Sequence, residues 1–144
     1  MEPRVDPAEE ARHLEVMDGL GVYGAAWALA KRMTPADVHL NQRRLLLVRA
    51  LVQGGPIPQL FPELGEVGHD GNNAEHRIPV TILNADGVEK AAHIRYLQAN
   101  AAYRIIGSGW SQFVQESGIS RGDRLDVYTC SRGDGERCLF FFKS

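Results

Sequence analysis

Gly107-Ser108-Gly109-Trp110-Ser111-Gln112-Phe113-Val114-Gln115-Glu116-Ser117-Gly118-Ile119-Ser120-Arg121-Gly122-Asp123 decides the fold of this chain. Trp110, Phe113 and Val114 stand at i, i+3 and i+4 and share one helix face, and Gly118 supplies the left-handed residue that ends the helix. The reading is a core plug rather than a catalytic segment. After the Gly122-Asp123 turn, Arg124-Leu125-Asp126-Val127-Tyr128-Thr129-Cys130 alternates apolar and polar residues, the period of a half-buried strand.

Upstream of the plug, Ala102–Ile106 and residues 91–97 read as strands. In the second of these Ala92, Ile94 and Tyr96 share one face, which leaves His93 and Arg95 together on the other. Ile78-Pro79-Val80-Thr81-Ile82-Leu83 is a strand that Pro79 confines to an edge or to a strand start, and Asn84-Ala85-Asp86-Gly87 turns it back. Residues 138–143, with Leu139-Phe140-Phe141-Phe142, form the last strand. Arg43-Arg44-Leu45-Leu46-Leu47-Val48-Arg49 is a short apolar run bracketed by arginines, read as a buried strand, with a helix as its competitor. Many short strands separated by turn signals predict a mainly β fold, a seven-stranded open β-barrel with two short α-helices.

The shorter of those helices starts at Thr34-Pro35-Ala36-Asp37. Thr34 is the N-cap, Pro35 takes the first helical position, and Asp37 completes a capping box. Residues 54–77 are rich in Pro, Gly and Asn and read as a long connection, functional or disordered. Residues 1–26 read as an acidic tail with at most one frayed helical turn near residues 8–16, and order is expected from about Trp27 to residue 144 as one domain.

A 144-residue chain, 44% hydrophobic and 24% charged, has room for one core. No apolar run is long enough for a membrane helix. The opening Met1-Glu2-Pro3-Arg4-Val5-Asp6 is unlike a secretory signal, so an intracellular compartment is expected. Cys130 and Cys138 flank Gly133-Asp134-Gly135 and could face one another across a hairpin; a reducing compartment keeps them as thiols.

Enzyme classes find no support. His13, His39, His69, His76 and His93 show no metal-ligand spacing, His69-Asp70 lacks an activated Ser or Cys partner, and no phosphate-binding glycine loop joins a strand to a helix. Neither a metal, a cofactor nor a small-molecule substrate is expected. The formal net charge of −2 weighs against a nucleic-acid partner, but its distribution is uneven. Residues 28–50 carry Lys31, Arg32, Arg43, Arg44 and Arg49 against Asp37, while residues 1–18 carry six acids against two arginines.

Three separated blocks resemble the plant B3 DNA-binding domain of transcription factors. They are Leu29-Ala30-Lys31-Arg32-Met33-Thr34-Pro35-Ala36-Asp37-Val38; Arg44-Leu45-Leu46-Leu47-Val48-Arg49, similar to the family's Arg-Leu-Val-Ile-Pro-Lys strand; and the Gly109-Trp110, Phe113-Val114, Gly122-Asp123 signature. Together they span about residues 28–143. Val48 stands where the family has proline, and Ala92 and Ile94 stand for the Trp and Phe of its Trp-x-Phe-Arg-Tyr segment.

The resemblance implies a DNA-binding pseudobarrel that grips the major groove of double-stranded DNA between two arms, in a nuclear regulator of transcription with other regulators as further partners. By position, the N-terminal arm is His39-Leu40-Asn41-Gln42-Arg43-Arg44, and the C-terminal arm lies around His93, Arg95, Gln98 and Asn100. Arginine suits guanine, and Asn or Gln suits adenine. Lys31, Arg49 and Lys90 are assigned to phosphate. The alternative is a degenerate barrel that captures proteins, motivated by the acidic sum, the replaced aromatics and a Leu139–Phe142 run that exceeds what a core can bury. A third reading, the Gly-Asp strand entry of bacterial swapped-hairpin regulators, suits a much shorter domain.

Overall fold

Gly118 takes a φ of 65° and closes helix α6 (Ser108–Ser117), as its sequence predicts. The computed structural model describes residues 2–66 and 77–144. In chain order these form α1 (Pro7–Gly19), β1 (Tyr23–Arg32), α2 (Pro35–Val38), β2 (Arg44–Val48), α3 (Arg49–Val52), α4 (Pro56–Leu60), α5 (Glu63–Glu66), β3 (Ile78–Asn84), β4 (Glu89–Leu97), β5 (Ala102–Ile106), α6, β6 (Arg124–Arg132) and β7 (Glu136–Lys143). The seven strands make one curled sheet in the order β1-β6-β7-β3-β4-β5-β2, antiparallel except for the β3–β7 pair. This is the expected open barrel, with β1 and β2 at its two free edges.

Alternation sets the inner face. Leu45 and Leu47 of β2, Ile105 of β5, Ala92 and Ile94 of β4, and Val80 and Ile82 of β3 are buried with Trp110, Phe113 and Val114 of α6. Ala92 and Ile94 are both in this core. Pro79 sits at the start of β3, where it pairs only with β4; pairing with β7 begins at Thr81. A missing N–H at that position removes no bond from a central ladder.

Gly109 explains the first half of the Gly-Trp signature. A Cβ on Gly109 would lie 1.9 Å from the Ala91 carbonyl oxygen, so only glycine lets α6 sit this close to β4. Trp110 then reaches across the core, and its Nε1–H donates to the carbonyl oxygen of Asp37 at 2.8 Å.

The structure corrects four expectations. Residues 7–19 form a full helix rather than a frayed turn. Asp6 accepts from the Ala8 N–H as N-cap, and β1 begins at Tyr23, four residues before the expected onset of order. That helix covers the outer face of β6 and β7, where Met17 joins Val22, Leu83, Tyr128, Cys130, Cys138 and Phe140 in a second apolar cluster. Strand β6 is therefore buried on both faces from Leu125 to Cys130 instead of half-buried. The Leu139–Phe142 run is absorbed in the same way: Leu139 and Phe141 face the main core, while Phe140 and the partly buried Phe142 face α1. One of the three observations that favoured a protein-capturing surface is thereby removed. Finally, the stretch expected as a long connection holds α4 and α5, and Ile57 of α4, Phe61 that follows it and Leu64 of α5 are buried in the core. His69, Asp70 and His76 lie outside the described residues.

Cys130 and Cys138 are partners in the β6–β7 register, as the hairpin reading expects, and both are buried free thiols.

Candidate functional site

The Thr34 capping box forms as its sequence predicts: the Asp37 N–H donates to Thr34 Oγ1 at 3.2 Å, and the Thr34 N–H donates to Asp37 Oδ2 at 3.0 Å. The box turns the Asp37 side chain into the barrel wall, where it is buried. There its carboxylate meets Lys31 Nζ of β1 at 2.7 Å, and Arg44 Nη1 and the Leu46 N–H of β2 at 3.0 and 3.2 Å. Lys31 also donates to the Leu46 carbonyl oxygen at 2.5 Å. One carboxylate therefore staples the two free edges of the sheet, and Trp110 fixes the backbone of the same residue. Lys31 and Arg44, both expected at DNA, are engaged in this seam.

Past the seam the chain leaves the barrel as a five-residue loop, His39 to Arg43, every residue of which is exposed. The Asn41 N–H donates to His39 Nδ1 at 3.1 Å, the Gln42 N–H donates to the His39 carbonyl oxygen at 3.0 Å, and Arg43 takes a left-handed φ of 51°. The loop is thus shaped by its own backbone and leaves the side chains of Asn41, Gln42 and Arg43 pointing at solvent.

Strand register fixes the second expected arm relative to the first. Arg44, Ile106 and His93 lie in one row across β2, β5 and β4; Leu46, Arg104 and Arg95 lie in the next outward row; Val48, Ala102 and Leu97 lie in the last. The first row adjoins the His39–Arg43 loop. The last row runs into the 3-10 turn Gln98–Asn100, whose three residues are exposed and which Ala101 closes with a left-handed φ of 46°. Arg49 follows the last row and its N–H donates to the Ala101 carbonyl oxygen at 2.9 Å, so the turn is tied to the start of α3. Two exposed loops therefore stand at opposite ends of one three-stranded face. The first and last rows are four residue steps apart along the strands, about 13 Å, and the two loops lie beyond them at either end.

That face is cationic. Residues 44–48, 91–97 and 102–106 contain Arg44, His93, Arg95 and Arg104 and no carboxylate. His93 and Arg95 share the outer face as expected. Arg104 was legible only as part of an apolar strand; its register opposite Arg95 of β4 is what places it outward. Burial, followed by the nearby charges of Arg44 and Arg95, pushes the Arg104 guanidinium below its usual range. Lys90 does not join the face. Its parity is that of Ala92 and Ile94, and its Nζ meets Glu116 of α6 at 2.7 Å. Arg49 is exposed beside the C-terminal turn.

A cavity of about 490 Å³ opens beside that turn, lined by Arg49, Gln53, Leu64, Tyr96, Gln98 and Tyr103. Tyr96 and Tyr103 pair across β4 and β5 with ring centroids 4.7 Å apart. Among the described residues no cluster of three or more His, Cys, Asp or Glu could hold a metal.

An open seven-stranded barrel plugged by a helix is the B3 pseudobarrel fold. The chain is similar in sequence to the B3 domain-containing protein REM13 of Arabidopsis thaliana, with 25% identity over 99 residues; the match takes in 66% of this chain and 9% of that relative. Its fold is similar to that of the Arabidopsis FUS3–DNA complex, with a TM-score of 0.53 and 19% identity, over 83% of this chain and 99% of that one. A hypothetical Arabidopsis thaliana protein aligns with a TM-score of 0.48 and 14% identity, over 84% of this chain and 91% of its own. No protein-family model matches the chain.

Proposed function

We propose that this chain binds double-stranded DNA sequence-specifically, as a nuclear regulator of transcription in a plant, and that it holds the major groove between the His39–Arg43 loop and the Gln98–Asn100 turn. The observation that carries the reading is the register that sets these two exposed loops at opposite ends of an acid-free face. Asn41 and Gln42 present the donor–acceptor pairs that suit adenine, and Arg43 the fork that suits guanine. Gln98 and Asn100 offer the same amide pairs from the other end, and the exposed His93 lies in the row beside the first loop. The net charge of −2 does not oppose this reading, because the acids lie elsewhere: Glu2 and Asp126 are taken up by Arg124, and Glu9 and Glu10 by Arg12 and Arg4.

Selection of bound duplexes from a random pool, followed by anisotropy titration of the selected sequence at several salt concentrations, tests the reading. Affinity that falls steeply with salt and a defined preferred sequence are expected. A pool that yields no enriched sequence and no salt-dependent binding overturns it. Arg43→Ala is the informative variant, since Arg43 is exposed and only its backbone carbonyl is engaged, by the Gly107 N–H at 3.1 Å.

A further inference from the structure

Arg95 and Arg104 are direct cross-strand partners on the outer face. Like charges so placed repel, and a sheet normally avoids the pair or supplies an acid between them. Here no acid is supplied. The Nε atoms of both arginines are covered from solvent yet have no hydrogen-bond partner among the described residues. Arg44, one row along on the same face, has its guanidinium held by Asp37 and adds a third positive charge nearby. Two planar forks, each with five N–H donors and no acceptor, are thus held side by side on adjacent strands, and the covered Nε donor of each finds no partner among the described residues.

From this juxtaposition we infer that Arg95 and Arg104 form a strand-borne phosphate site, which takes one phosphodiester of nucleic-acid backbone midway between the two loops. Bidentate geometry is what arginine offers a phosphate and lysine does not. A site on two hydrogen-bonded strands is also more rigid than one on a loop, so it sets the depth and register of the duplex while the loops read bases. The inference rests on the reading of this face as a DNA surface, but its first test does not.

Thermal unfolding in inorganic phosphate and in chloride at matched ionic strength uses the full chain and its Arg95→Gln and Arg104→Gln variants. Phosphate is expected to raise the melting temperature of the parent and not of either variant. In chloride both variants should melt no lower than the parent, because a repulsive charge has gone. Equal phosphate stabilisation of parent and variants, or none in any of them, overturns the proposal. Anisotropy with a random-sequence duplex supplies the second readout. Each substitution should weaken binding roughly tenfold and lower the salt slope by about 1, with the preferred sequence unchanged. A duplex that binds with the same slope to parent and variants refutes the phosphate site while the two-loop reading stands. Phosphate stabilisation through the pair with no duplex bound leaves the site and refutes the two-loop reading.

Discussion

Arg44 holds Asp37 at 3.0 Å, and the carboxylate it holds belongs to a residue only 1% exposed. The arginine that sequence reasoning sends to DNA is therefore half of a buried ion pair, with Lys31 as the third member. Removing one partner from such a group leaves an uncompensated charge, which costs about 3–5 kcal/mol. Asp37→Ala should lose that much stability in a urea titration, and Arg44→Ala a similar amount. Arg43→Ala, one residue away, should unfold at the parent's midpoint. A parental midpoint for Asp37→Ala would remove the seam from the account of the fold.

Gly109 gives a sharper test. Its missing Cβ is the space occupied by the Ala91 carbonyl oxygen, and neither is at the end of a flexible side chain that could swing away. Gly109→Ala should cost about 3 kcal/mol or more, the upper part of the overpacking range, because α6 must lift from β4 and carry Trp110 off the Asp37 carbonyl. Ser108→Ala, in the same helix turn, serves as the control and should be nearly neutral.

Much of this was legible in sequence because the signals are local. The capping box, the Gly118 terminator and the alternation in β4 each depend on residues within one element. What sequence concealed is long-range. Helix α1 offers the core only His13 and Met17 from a strongly charged segment, so no periodicity announces that it covers a sheet. The partners of Lys31 and Arg44 come together only when β1 and β2 close on Asp37. Arg104 sits in the short strand Ala102–Ile106, whose outward parity is fixed by pairing with β4 rather than by its own pattern.

Val48 occupies a backbone position that would also suit proline, the residue of the B3 pattern this segment resembles. Its φ of −61° and ψ of 148° are proline values. On edge strand β2 the N–H and C=O of Leu46 face Asp37 and Lys31, away from β5, so by alternation the N–H of Val48 also faces the open side. Val48→Pro should therefore be tolerated and should stabilise by about 0.4–1 kcal/mol through the unfolded chain. A loss of more than that, measured by urea unfolding, would mean that this N–H has a partner in solution.

Helix α1 is an integral wall of the domain. Met17 is fully buried against β6 and β7, and Met17→Ala should cost about 2–5 kcal/mol. Deletion of residues 1–20 uncovers Tyr128, Cys138 and Phe140, so the truncated chain should self-associate in size-exclusion chromatography at concentrations where the full chain is monodisperse. A truncated chain with the full chain's stability and elution would contradict the packing.

The attachment of α1 also makes stability depend on pH. His13 stacks on Phe142 with ring centroids 3.8 Å apart, and its Nδ1 lies 2.8 Å from the Tyr128 hydroxyl. Its Nε2 faces Glu9 at 3.3 Å, but that carboxylate is also engaged by Arg12, and the other charges around the ring, Asp126 and Glu10, do not outweigh burial. Burial therefore holds the imidazole pKa below its usual value. A base with a lowered folded pKa is bound by more protons in the unfolded chain, so the contribution is complete above about pH 6.5, the unfolded value, and declines as pH falls below it. Urea midpoints of the parent should drop between pH 8 and pH 5, a window that stays above the carboxylates Glu10, Glu89 and Glu136, whose arginine partners hold them below the usual range. His13→Phe keeps a ring against Phe142 and removes the proton, so its midpoint should change less over the same interval. Equal slopes for parent and variant would move the pH dependence to other groups and leave His13 as packing alone.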